Sequence, residues 1–166
     1  MSLKIPARSL AALAVMAGCA SPQISPEVAS VTAAADESLV WALSVRDPAP
    51  DCAAVAAGYT GDAPLADALM VVAEQVSQPA WASLRAARCL AELAPASGRP
   101  ALERWVVEEA YAGLGRAVLG QLGEMPAAVA QPVLRSALGG KLDTIAREHA
   151  IASARPELMT VITEEH

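Results

Sequence analysis

Reactive side chains are few and scattered in this sequence. Three cysteines (Cys19, Cys52, Cys89) and two histidines (His149, His166) are the groups that most readily act as nucleophiles or metal ligands. None falls in a spacing that such chemistry uses. There is no Cys-x-x-Cys and no His-Glu-x-x-His, so no metal site is expected. There is no Gly-x-Ser-x-Gly and no glycine-rich phosphate loop. Glu148 and His149 are neighbours on a predicted helix and point to different faces, so neither orients the other. Asp143 and Arg147, four residues apart, read as a surface ion pair. The expectation is a protein that is not an enzyme and carries no cofactor.

Cys19 has the most informative surroundings. Residues 1–19 read MSLKIPARSLAALAVMAGC, with Lys4 and Arg8 ahead of an apolar run and small residues before the cysteine. That is the physical form of an export signal, and the run is too short to span a bilayer as a mature helix. The ending Met16-Ala17-Gly18-Cys19 resembles the lipobox of bacterial lipoproteins, with Met where Leu is commoner. The resemblance implies cleavage before Cys19, a signal peptide over 1–18, and acyl chains on Cys19 that anchor the protein to a membrane. Two or three chains hold stably where one does not, at about 0.8 kcal/mol per buried CH₂. Ala20 in place of Asp after the cysteine implies the outer membrane by the same resemblance. Residues 19–32, with two Ser-Pro pairs and no helical period, read as a disordered tether.

Export would leave Cys52 and Cys89 as an even pair in an oxidising compartment, and a disulfide between them is expected; the alternative is two buried small hydrophobes. The bond would close a loop worth about 3–4 kcal/mol in the chain-entropy model. It would also offset a weak core. The chain holds 39 alanines and no Phe among its 166 residues. Alanine is the best helix former but buries little apolar area, at about 25 cal/mol per Å². Net charge is −6, and −8 without the first 18 residues. No nucleic-acid partner is expected of so acidic a chain.

Apolar periodicity and Pro, Gly and Asp punctuation predict helices throughout residues 33–166. They fall at 33–45, 51–57, 65–76, about 79–94, 100–110, 114–122, 126–138, 142–154 and from Pro156 onward. Trp41, Trp81 and Trp105 each lie in an apolar stripe and read as core anchors. In the fourth helix, the polar residues Arg85, Arg88 and Glu92 share one narrow stripe. The remaining arc is so wide that it must be covered on more than one side.

That helix has two weaker echoes. RAARCLAELA (85–94), LGRAVLGQLG (114–123) and AREHAIASAR (146–155) align with Leu90, Leu119 and Ile151 in register. Leu93, Leu122 and Ala154 align too, as do Ala86, Gly115 and Arg147. Each is preceded by a helix starting near a proline: Pro64, Pro100, and Pro126 or Pro132. A period near 30 residues with Arg-x-Ala-x-x-x-Leu-x-x-Leu resembles the short HEAT-like repeats, also found in phycobilin lyases, over residues 62–155. The resemblance implies an all-α fold in the form of a short right-handed α-solenoid of about four helix pairs. It further implies a scaffold that binds another protein on the concave face of its inner helices. The matching face is Arg85, Arg88, Glu92, Arg116, Gln121, Arg147 and Glu148. The expected protein is thus an outer-membrane lipoprotein with an envelope protein as partner. The alternatives are a structural envelope protein without a discrete partner, or a chromophore lyase, which an export signal disfavours.

Overall fold

Asp36 opens the first helix of the computed structural model, which describes residues 36–75, 78–93 and 96–165. The expected signal peptide, Cys19 and the tether lie outside the described residues. Asp36 is extended (φ −61°, ψ 116°), and its carboxylate accepts from the backbone N–H groups of Ser38 and Leu39 at 2.9 and 3.1 Å. That cap satisfies two of the donors every helix start leaves open, so α1 runs Glu37–Ser44. Asp51 caps α2 (Cys52–Gly58) in the same way. The later helices are α3 (Leu65–Glu74), α4 (Ala80–Leu93), α5 (Arg99–Val107), α6 (Ala112–Leu119), α7 (Ala127–Ala137), α8 (Asp143–Ala152) and α9 (Pro156–Glu164). No strand occurs among the described residues. The fold is all-α.

Several boundaries differ from expectation for local reasons. The helix expected over 100–110 ends at Val107, and a 3-10 turn at Glu109–Tyr111 redirects the chain into α6. The one expected over 114–122 ends at Leu119 and is followed by turns through Glu124. Leu122 and Met125 remain buried there, because Arg155 donates to the carbonyls of Leu122, Gly123 and Met125. Pro126, not Pro132, starts α7; Pro132 lies inside that helix.

Packing runs in two series. Helix α4 touches α6, and α6 touches α8; α5 touches α7, and α7 touches α9. Sequential helices α3/α4 and α5/α6 pair closely, while α1 and α2 rest on α4. The α5–α6 approach depends on Gly115, where a Cβ would lie 2.4 Å from the Trp105 carbonyl oxygen. Small buried residues (Ala82, Ala86, Ala87, Ala91) let neighbouring helices pack closely on α4. Cys52 and Cys89 are bonded, with Cα atoms 5.1 Å apart, which ties α2 to α4.

Two tryptophans depart from the core assignment. Trp105 is fully buried, but Trp41 is 73% exposed and Trp81 39% exposed. Helix α1 has eight residues and buries Leu39 and Leu43, four apart; Trp41, two from Leu39, faces nearly the opposite way. Trp81 stands in the first turn of α4, where its Nε1–H donates to the Ser44 carbonyl and Arg46 lies over its ring. The repeat register also breaks in its third copy. Leu90 and Leu119 are fully buried while Ile151 is 57% exposed. The positions buried in all three copies are Cys89, Val118 and Ala150.

Candidate functional site

The polar stripe of α4 divides between two uses. Near its start, Arg85 reaches back to α1, and its guanidinium donates to the carbonyls of Leu43 (2.9 Å), Val45 and Arg46 (3.1 Å). Those carbonyls close a helix whose carboxyl end carries partial negative charge, so Arg85 is held as a C-terminal cap. It was expected on a free binding face; instead it is a structural tie. One turn on, Arg88 points to solvent and meets Glu92 at 3.6 Å.

Beside this stripe, α4, α6 and α8 form a groove of about 350 Å³. Arg85 and Arg88 come from α4, Arg116 and Gln121 from α6 and the turn after it, and His149 from α8. Leu84, Ala117 and Gly120 make its apolar floor. Of the seven residues expected on the inner face, four therefore converge here. Glu92, Arg147 and Glu148 do not line it. Arg147 turns along its own helix to Asp143, with Nε 3.0 Å from a carboxylate oxygen, the ion pair that their spacing predicts. His149 is the functional candidate the sequence reading passed over. Yet the repeat register itself sets His149 level with Arg88 and Ala117, both of which line the groove. Arg147 shares its register position with Ala86 and Gly115, which are buried and do not line the groove.

A larger cavity of about 490 Å³ lies on the other side of Leu84. Glu74, Gln75, Gln78, Ser83 and Tyr111 supply its polar lining. Glu74, Gln75, Gln78 and Ser83 hydrogen-bond within the chain, and the Tyr111 ring lies against a guanidinium. Glu74 accepts from the Trp105 indole N–H at 2.8 Å and from Arg104, whose guanidinium in turn lies 5.2 Å from the Tyr111 ring centre. Gln78 donates to Gln75, and Ser83 donates to the Val72 carbonyl.

The polar lining of the groove is three arginines, Gln121 and His149. Cys52 and Cys89 are bonded to each other. Among the described residues, no three His, Cys, Asp or Glu side chains gather where a metal ion could sit. No described helix is long and apolar enough to cross a membrane. Two carboxyls elsewhere in the fold have shifted titration. A side-chain hydrogen bond from Ser38, with the backbone N–H of Leu39, lowers the Asp36 carboxyl below its ordinary range. Lys141 does the same for Glu109. Comparison of the chain with family models, with curated proteins and with solved structures finds no match.

Proposed function

We propose that this chain is a lipid-anchored envelope protein whose helices form a short HEAT-like solenoid and bind another protein through the α4/α6/α8 groove. One observation carries the binding role. Arg88, Arg116, Gln121 and His149, from three different segments, converge on one concavity while the polar lining of the larger cavity is engaged internally. The solenoid reading is supported by the serial contacts α4–α6–α8 and α5–α7–α9, and by the shared burial of Cys89, Val118 and Ala150. The anchor reading is supported by the lipobox-like Met16-Ala17-Gly18-Cys19, and outer-membrane retention by Ala20. A non-catalytic role fits a groove without a paired nucleophile and base.

The test is a cross-linked pull-down of the full-length, C-terminally tagged protein from its own envelope. One partner should be recovered near one-to-one and lost in the Arg88→Glu/Arg116→Glu variant. Arg85 is unsuitable for this test because reversing it removes the cap of α1. Recovery of abundant envelope proteins alone, unchanged in the variant, would sink the binding role and favour a structural one. Separately, Cys19→Ala should abolish the acylated mass; a normal acylated mass in that variant removes the anchor.

A further inference from the structure

We infer that the groove receives an extended, carboxylate-bearing segment of the partner protein. This rests on the reading of the groove as a protein-binding surface and adds the chemistry of what enters it.

Charge is segregated here. The chain carries −6, yet three of its twelve Lys and Arg residues line this one concavity and no described carboxylate does. A basic recess in an acidic protein attracts anionic groups to one place and repels them from the rest of the surface. Two of the arginines are available. Arg88 shares its charge with Glu92 at 3.6 Å in an exposed i, i+4 pair, a contact weak enough for an incoming carboxylate to replace. Arg116 is exposed and has no carboxylate within ion-pair distance among the described residues. Its planar fork of N–H donors matches a carboxylate with two parallel hydrogen bonds.

Shape selects the form of the ligand. Arg88 on α4 and Arg116 on α6 line the same groove of about 350 Å³, so a ligand that reaches both must run across it. Adjacent helix axes pack about 8–10 Å apart, which sets the scale of the span from α4 to α6. An extended chain advances about 3.3 Å per residue, and carboxylates three residues apart then reach one arginine each. Gly120 closes α6 at the groove, so the carbonyl end of that helix is part of the wall. The partial negative charge of that helix end opposes any anion beside it, so the attraction comes from the arginine side chains.

The test uses the full-length protein in detergent micelles and a fluorescent peptide, Ser-Glu-Ser-Ser-Glu-Ser-Ser-Glu-Ser, read by anisotropy at low salt. The Glu peptide should saturate and its Gln counterpart should not. Arg116→Glu should weaken binding roughly tenfold or more. Gly120→Leu should do the same by filling the groove. That variant keeps the fold, because Gly120 has φ −61° and a Cβ there meets only the carbonyls of Ala117 and Arg116, at 3.4 and 3.6 Å. Its helical circular dichroism should match the parent. Equal binding of both peptides, no saturation at about 1 mM, or an affinity unchanged by Arg116→Glu would overturn the inference. So would inorganic phosphate or phosphatidylglycerol vesicles binding through Arg116 in place of the peptide. A partner captured through the groove by a segment lacking carboxylates leaves the scaffold standing and removes this inference. Saturable Glu-peptide binding with no envelope partner captured retains the acidic preference and removes the proposed partner.

Discussion

Leu84 separates two cavities that use their polar side chains in opposite ways. On one side, Glu74, Arg104, Trp105 and Tyr111 form a closed set in which the carboxylate accepts from the indole and the guanidinium, and the guanidinium covers the phenol ring. On the other, Arg116 and Gln121 border a groove with His149, and Arg88 meets only Glu92, one turn along its own helix. The cavity beside this set is the larger one, about 490 against 350 Å³. Volume is therefore no guide to which lining is left for the proposed partner. A polar group whose hydrogen bonds are made within the chain stabilises the fold; one left facing solvent in a concavity is available to a partner.

This difference has a clear experimental form: changes on the closed side should move stability, and changes on the open side should move binding. The largest effect is expected from Trp105→Ala, which removes a fully buried ring and its bond to Glu74. A loss of about 3–5 kcal/mol in urea unfolding is expected. A loss below about 1 kcal/mol would show that the closed set is not structural. Next is the double change Cys52→Ala/Cys89→Ala, which frees α2 from α4 and should cost about 3–4 kcal/mol. Free-thiol titration of the denatured, unreduced parent should find neither of these two cysteines reactive.

The arginines give the sharpest contrast. Arg85→Ala leaves the carbonyls of Leu43, Val45 and Arg46 without their donor and should cost about 1–3 kcal/mol. Arg116→Ala should change stability by no more than about 0.5 kcal/mol. Equal costs for the two would erase the distinction between cap and ligand-facing arginine.

Acidification should have the smallest effect. Asp36, Glu109 and Glu157 are held below their ordinary values of 3.8, 4.5 and 4.5. Ser38 is the main cause for Asp36, Lys141 for Glu109, and the backbone N–H of Glu157 together with Arg155 for Glu157. The unfolded chain therefore takes up these protons first. Their contribution is present above the ordinary values and is lost as pH falls through the depressed ones. The urea midpoint should decline as pH drops below about 4.5, and less steeply in Asp36→Asn. A midpoint that holds level through that window would show that the cap and the Lys141 tie contribute nothing.

Much of the architecture was legible residue by residue. Asp36 and Asp51 mark helix starts because a carboxylate at that position satisfies open N–H groups, a purely local effect. The Asp143–Arg147 pair follows from spacing on one helix. Arg85 was misassigned because its partners lie about forty residues earlier, and no periodicity within α4 reveals a carbonyl donated from α1. Trp41 was misplaced because a short helix buries only one narrow edge, and Leu39 with Leu43 already fills it. His149 shares its register position with Arg88 and Ala117, but only the packing of α8 on α6 brings it to the groove.

By itself, then, the sequence determined that the described chain is helical, where most helices begin, and which cysteines were available to pair. Alanine content, capping residues and proline are local causes, and local causes act before any tertiary contact forms. Only the tertiary structure decided that Arg85 closes a helix while Arg116 faces an open groove. Both are arginines on helices aligned by the same repeat. What separates them is the presence of α1's carbonyls beside one and solvent beside the other.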